Sequence, residues 1–580
     1  VTGEECCGDS RVVVLIFVDF AEGGQDVVLE ADLCVIGAGA AGLTLVHELR
    51  RSALRICVIE TGGLDRDPAA DELSDAASHG STTLDFIATR PRAFGGSTVE
   101  WGGMCCPLDE CDFETRPSMP LHGWPVSLTD LQPYYQRAHT ALGLGPRYFD
   151  ERLWSVLGIP PPEVDQRRLR TKFWQYRSPR RLPPHSPLRF GQAYRNDVAS
   201  SDTVKAVLNA TVVKIVRAPG RDAVERVEFR SIAGRRGQVR ANVFVLAGGA
   251  VENARQLLAS DFSGCSEALG RYFMEHPHVS VGRLAHDDTR RLLPKWAVLQ
   301  RSGQVSFRPK FLPTRDYQRE RDILNASLTL EVRCGPDCPH RALADFARGV
   351  REKRRGAELA RAAGRVVVHS GVLAGAAYRR SVGRPACPGH GGLVLYCRSE
   401  QEPNPASRVV LGQERDALGI NRAEVSWRLT DRDRRTAVDF GNVVGSELRR
   451  LGARNLTMDG WLDEPDGWPA DMVGGPHHSG TTRMSDSAAT GVVDKNSRVY
   501  GVPNLYVLGS SVFPTGGYAN PTYTIVALAI RAADHLQAQL RGGVPTHAWQ
   551  GTVPARPVPD LQPGREPDLD TGSAAPAPTP

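Results

Sequence analysis

Cysteine is scarce in this chain. Twelve in 580 residues is far below the roughly 8–10% of a disulfide-built scaffold. Several are adjacent or lie inside apolar runs, such as Cys6 and Cys7, Cys34, Cys57, Cys105 and Cys106. A reduced, cytoplasmic protein is the simplest reading. Charge of one sign is also missing: 71 Lys and Arg against 66 Asp and Glu leave a net +5. That balance predicts no nucleic-acid partner. Long apolar runs are absent as well. The stretch Val12 to Phe20 is broken by Asp19 and is too short for the roughly 20 residues a membrane helix needs. It has no cationic segment before it, so it does not read as a signal peptide. No integral membrane segment is expected. The 41% hydrophobic and 24% charged residues are those of an ordinary globular protein, large enough to bury a cofactor.

Three separated stretches have α/β character. Val27 to Glu60 reads strand, glycine-rich turn, helix, strand. Val204 to Leu258 contains strands, the apolar run Val243 to Ala247 and a helix from Glu252. Gly474 to Leu540 contains the strand Leu505 to Leu508 and a long apolar helix. The intervening stretches are richer in Pro and Arg. The expected organisation is an N-terminal extension (1–26), a discontinuous nucleotide-binding domain (27–130, 204–290 and 466–545) and a second domain inserted twice (131–203 and 291–465). The Pro/Ala/Asp-rich end, 552–580, reads as a disordered tail. The basic stretch 341–365 reads as a solvated surface helix, with docking to a membrane or partner as the alternative.

The buried-strand run Leu33–Ile36 leads into Gly37, Ala38, Gly39, Ala40, Ala41 and Gly42, and then a helix. This is the dinucleotide fingerprint in its strand–turn–helix setting. Gly37 permits the tight turn, Gly39 admits the pyrophosphate, and Gly42 lets helix and strand pack closely. The helix N-terminus offers free N–H groups to phosphate. Glu60, at the end of the next strand, would accept bonds from ribose hydroxyls and repel a 2′-phosphate. FAD and NAD share the fingerprint. The long separation between this turn and the last α/β segment points to a flavoprotein.

Two histidines lead the C-terminal constellation, His477-His478-Ser479-Gly480-Thr481-Thr482. After them come the strand ending at Gly509 and Ser510, and then Asn520-Pro521-Thr522. With Arg92–Gly103, Ala247–Leu258, Arg271–His278 and Glu400–Val409, this resembles the glucose–methanol–choline (GMC) family of FAD-dependent alcohol oxidoreductases, nearest its bacterial, pyranose-oxidase-like branch. The resemblance spans nearly the whole chain. It implies a Rossmann-like FAD domain of the glutathione-reductase type, with a substrate domain on a mostly antiparallel sheet.

By that resemblance His477 and Asn520 are the catalytic pair and also contact substrate, with Gln401 as a further substrate contact. Flavin contacts would come from Gly37, Gly39, Ala40, Ala41, Gly42, Glu60, Arg92, Gly95, Gly96, Ser97, Trp101, Gly102, Gly103, Val213, Ala247, Gly509, Ser510, Asn520, Pro521 and Thr522. Imidazole titrates near working pH and can take a hydroxyl proton. Asn cannot ionise and would hold the substrate oxygen. Asn520 is also expected to cap the helix that Pro521 opens.

Some relatives carry a flavin-linked histidine directly before the tryptophan. Here Glu100 precedes Trp101, so the FAD is expected to be non-covalent. The branch suggests a sugar, glycoside or aminosugar-type polyol as substrate, with oxygen, a quinone or a redox protein as electron acceptor. A lyase on the same scaffold and a non-catalytic flavin-binding interaction protein are the alternatives. Cys106 and Cys111 have the spacing of a redox dithiol, but their acidic neighbours would raise the thiol pKa values, so they read as structural. Cys334, Cys338 and His340 form at most a partial metal set, and no metal site is expected. His276-Pro277-His278 reads as a strand entry.

Overall fold

The computed structural model describes residues 17–540 except 22–23, 117–118, 120–122, 178–187, 286–295, 297–299, 333–345, 347–349, 351–356, 369, 372 and 375–391. The 552–580 stretch and the Cys334–His340 set lie outside the described residues, as does most of 341–356. The second half of the basic stretch falls in the described helix Ala357–Val368. Among the described residues no helix is long and apolar enough to cross a membrane.

Two large sheets organise the chain. The first is built on the strand Val27–Ile36, ten residues that are continuously buried from Ala31 onwards, the pattern of a parallel strand covered on both faces. It pairs in parallel with Ile56–Ile59 on one side and Arg236–Leu246 on the other. Val204–Leu208 and Phe17–Asp19 extend one edge, also in parallel. Val224–Arg230 and Thr211–Arg217 continue the other edge antiparallel, and Leu505–Val507 pairs in parallel with Arg236–Leu246. The helices Ala40–Leu49 and Thr522–Leu540 pack against each other beside this sheet.

The second sheet is antiparallel throughout. Its order is Gln300–Ser302, Val305–Pro313, Ala326–Val332, Leu393–Ser399, Pro277–Leu284, Leu456–Met458, with Leu169–Arg177 added to Val305–Pro313 and Val473–Gly474 to Pro277–Leu284. One face carries Phe311, Leu328, Cys397 and Val279 into the second hydrophobic core. The other is polar. His278, Arg398 and Ser327 stand in register across three neighbouring strands of this face.

Several boundaries differ from the sequence reading. Phe17–Asp19 belongs to the first sheet, because Phe17 and Val18 are buried there in register with Ala206 and Val207. Pro277–Leu284, expected in the nucleotide domain, is a strand of the second sheet, and so is Val473–Gly474. Leu128–Ala141 and Phe190–Ala199, expected in the inserted domain, bury Leu131, Tyr135, Phe190 and Tyr194 in the first core. In each case an apolar face found its partner across the chain, which local composition does not register.

Candidate active site

The glycine-rich turn is as tight as its spacing requires. Gly37 has φ +103°, and a Cβ there would lie 2.7 Å from the Ala247 carbonyl oxygen. Gly39 precedes the helix Ala40–Leu49, whose N-terminus has no side-chain cap. Its free N–H groups therefore face outward for an anion. The second glycine loop is pressed against this turn. The Gly95 N–H donates to the Ala38 carbonyl at 2.8 Å, and a Cβ on Gly96 (φ +53°) would come within 2.9 Å of Gly39 Cα. By contrast, a Cβ on Gly249 or on Gly509 would meet nothing within 4 Å. These glycines leave a side-chain-free lip along the carboxyl ends of the parallel strands, a cradle that fits a dinucleotide.

Glu60 is buried, and its carboxyl accepts the Ala38 N–H at 2.7 Å and the Gly62 N–H at 3.0 Å. Burial raises its pKa, partly offset by those N–H donors and by Arg92. Arg92 itself points at Glu252 (2.7 Å) and Ser74 (2.7 Å). Trp101 donates its indole N–H to the Leu188 carbonyl at 2.9 Å. Ser97 and Gly102 are exposed, and Gly103 is buried. Val213 is half-buried on Thr211–Arg217. Asn253 is a link the sequence reading missed. Its carboxamide accepts from Gly248 N–H (2.8 Å) and donates to the Leu508 carbonyl (3.1 Å) and Ser511 (2.9 Å). It thereby ties together the turns after Leu246 and Val507, the strand ends that bracket Ala247 and Gly509–Ser510.

His477 and Asn520 meet. Asn520 Nδ2 lies 3.0 Å from His477 Nε2. The loop that carries His477 is fixed on one side by paired backbone bonds between Met274 and Ser479, 2.9 Å each way, and by Gly475 N–H to the His276 carbonyl at 3.0 Å. On the other side Ser510 Oγ donates to the His478 carbonyl at 2.6 Å. The expected capping role of Asn520 changes. The long helix begins at Thr522 and its first turn is closed onto the Pro521 carbonyl by Ile525 N–H at 2.9 Å. The Asn520 side chain, one residue too early to cap, turns to the histidine.

The sequence reading of His276-Pro277-His278 was incomplete. Pro277 does open a strand, but alternation along it sets both histidines towards His477. The His276 and His477 Nδ1 atoms lie 2.9 Å apart, and the His278 ring centroid is 6.2 Å from that of His477. Two histidines flanking a strand-entry residue were the available signal. Glu275 was missed as well: its carboxyl accepts the His477 N–H on both oxygens and the His276 N–H on one. Gln401 lies one layer behind the site. Its carbonyl accepts from Glu275 N–H and from the Trp427 indole, 2.8 Å each. His478 packs between Phe86 and Phe273, with Nε2 3.4 Å from Glu275.

Burial governs the protonation of this cluster. It lowers His276 to about 4 and His478 to about 3, and it holds His477 and His278 well below the usual histidine range. Neighbouring His276 and Arg398 push His477 the same way. All four imidazoles are therefore neutral at pH 7. Burial also raises Glu275 to about 8.

A family model described as GMC oxidoreductase matches residues 403–529, the segment that holds His477 and Asn520. That segment carries the C-terminal domain of a GMC oxidoreductase. The relatives are FAD-dependent alcohol oxidoreductases in the main, the activity this chain shares, and the glycine cradle above fits a flavin dinucleotide. The large subunit of fructose dehydrogenase from Gluconobacter japonicus is 21% identical over 89% of this chain and 99% of that one. Paromamine 6′-oxidase from Streptomyces fradiae is 24% identical over 88% and 92%. A formate oxidase of Aspergillus oryzae shares the fold, with a TM-score of 0.53 at 16% identity, covering 90% of this chain and 100% of that one.

The Cys106–Cys111 pair is not a dithiol site. Both thiols are free and buried, and burial, with Asp112 and Asp109 beside it, drives the Cys111 pKa up. No group of three or more metal-ligating side chains occurs among the described residues.

Proposed function

We propose that this protein oxidises a secondary or primary alcohol of a sugar, glycoside or aminosugar-type polyol to the carbonyl, with His477 as the general base. The observation that carries the proposal is the 3.0 Å contact of His477 Nε2 with Asn520. FAD bound there supplies the two-electron acceptor for the carbinol hydride. His477 Nε2 removes the hydroxyl proton, and because burial keeps the imidazole neutral it is ready to do so at pH 7. Asn520 donates its carboxamide N–H to the substrate oxygen and holds it against the imidazole. Gly37, Gly39 and the helix after them receive the pyrophosphate, and Glu60 takes a ribose hydroxyl.

The polar face of the second sheet supports a hydroxyl-rich substrate. Arg398 donates to Thr329 at 2.8 Å and to Glu331 at 2.7 Å, and Lys310 lies between the Trp174 and Tyr518 rings, at 4.4 and 4.3 Å. A charged, hydrogen-bonding face of this kind suits hydroxyl groups better than an apolar chain. The fructose and paromamine enzymes are named for substrates of this kind. The scattered cysteines, free among the described residues, suit a cytoplasmic enzyme, and the acceptor that reoxidises it is oxygen, a quinone or a redox protein.

Anaerobic mixing with a panel of polyols and glycosides tests the reading, with flavin absorbance as the signal. Bleaching is expected with at least one class. His477→Ala should slow it about 10²–10⁴-fold, the usual cost of losing a general base, with FAD retained. A flavin that stays oxidised with every alcohol would favour a lyase.

A further inference from the structure

His276 and His477 approach each other through like nitrogens. Their Nδ1 atoms are 2.9 Å apart, so one must carry a proton and the other a lone pair. Neither ring is an imidazolium at neutral pH, since loss of solvation holds both well below the usual histidine range. Each ring therefore carries one proton, and two arrangements are open.

The far side of His276 decides between them. The backbone of Gly516 and Gly517 raises the His276 pKa against the effect of burial, as acceptor carbonyls beside the ring do. A Cβ built on Gly516 would stand 3.5 Å from His276 Nε2, which places that nitrogen against the turn. A carbonyl only accepts, so Nε2 carries the proton of His276 and Nδ1 is left as the lone pair. The neighbouring Nδ1 of His477 must then be the donor. The single proton of His477 is spent on that bond, and Nε2 is bare. In the absence of substrate Asn520 Nδ2, 3.0 Å away, donates to it, which completes a chain of compatible donors and acceptors; the substrate hydroxyl would take the place of that N–H at the lone pair.

We infer that His276 is a positioning residue that holds His477 in the Nδ1–H tautomer, so that its Nε2 lone pair faces the substrate hydroxyl. The inference rests on the reading of His477 as the base. The opposite tautomer would present an N–H to the alcohol and could not take its proton. The two glycine carbonyls thus set the direction of proton transfer through His276, without touching substrate. The carbonyls and Asn520 belong to one segment, Gly516–Asn520, so both ends of the chain are built by the same turn.

The test is nitrogen NMR on holoenzyme carrying 15N-labelled histidine, with His477→Gln used to assign the signal. In wild type at neutral pH, His477 should show a protonated Nδ1 and a bare Nε2. His276→Leu removes the acceptor, and an Nε2–H form of His477 should appear. His276→Asn places a carboxamide oxygen where Nδ1 was and should restore the wild-type pattern. Flavin reduction by a substrate alcohol should fall about 10–100-fold in His276→Leu, as for other groups that orient an active imidazole, and recover most of that in His276→Asn. An Nε2–H His477 in wild type would overturn the inference, as would an unchanged tautomer in His276→Leu. Should His276→Leu not fold, the wild-type spectrum alone still decides. If no alcohol bleaches the flavin, the proposed function fails while the tautomer measurement remains informative.

Discussion

Glu275 accepts the backbone N–H of His477 on both carboxyl oxygens, at 2.8 and 2.9 Å. With the His276 N–H also at 2.8 Å, one buried acid fixes the main chain of two touching histidines that are 201 residues apart in the chain.

That arrangement predicts a pH-dependent stability. Burial lifts Glu275 from 4.5 to about 8, against the pull of the His276, His477 and Gly475 N–H groups. The folded protein therefore keeps a proton that the unfolded chain gives up. The resulting stabilisation is complete below about pH 4.5 and is lost as pH rises through 8. Glu275→Gln cannot ionise, and it offers one acceptor oxygen fewer, so at pH 6 it should cost about 1–3 kcal/mol. Melting curves from pH 6 to 9 should show wild type descending towards the variant. Parallel curves would remove Glu275 as the source.

The adjacent histidines should separate cleanly by function. His478 is enclosed by Phe86 and Phe273 and its Nε2 has no hydrogen-bond partner of good geometry. His478→Phe should keep flavin reduction within about threefold of wild type, since it removes only a buried polar atom of small net value. It should also resist acid better. The His478 pKa is driven by burial to about 3, below 6.5 in the unfolded chain. Its contribution is present above about 6.5 and lost as pH falls towards 3. Circular dichroism through that range measures the difference. A His478→Phe enzyme as slow as His477→Ala would mean that the base is misassigned.

How far these features could be read from the chain depends on whether their cause is local. The strand Val27–Ile36, the turn and the helix Ala40–Leu49 are legible because the hydrophobic run and the glycine spacing lie within 30 residues. His477 and Asn520 were found through motif resemblance, and nothing in their own neighbourhoods requires that they meet. His276 and Glu275 escaped because their roles come from the Met274–Ser479 bridge, a pairing that no local pattern encodes. The alternation of His276 and His278 about Pro277 was visible, yet without the partner strand it had no direction. Asn520 looked like a helix cap by composition. The helix starts one residue later than that pattern implies, and the competing bond to His477 takes the side chain.

Glu100 precedes Trp101 and its carboxylate pairs with Arg66 at the surface. A carboxylate there cannot form a histidyl–flavin bond. Precipitating the holoenzyme with trichloroacetic acid should leave a yellow supernatant and a colourless pellet. Flavin in the washed pellet would mean that another side chain has bonded to it.

The close approach of Gly39 and Gly96 should control flavin occupancy more than fold. Gly96 has φ +53°, and an added Cβ would sit 2.9 Å from Gly39 Cα, the backbone that borders the pyrophosphate cradle. Gly96→Ala therefore has to push the flavin loop off the turn. The strained φ and the clash together are of the order of 1–3 kcal/mol. Relief would come from the loop rather than the sheet, because the ends of the parallel strands under the turn, Leu33–Ile36, Ile56–Ile59 and Val243–Leu246, are buried. Purified Gly96→Ala should hold clearly less flavin per protein by its absorbance ratio. FAD affinity measured by fluorescence quenching should drop about tenfold, which is 1.4 kcal/mol. The apoprotein should melt within a few degrees of wild-type apoprotein, about what 1 kcal/mol gives in a chain this large. Equal flavin content in the two proteins would mean that the two loops separate freely, and that the turn alone holds the cofactor.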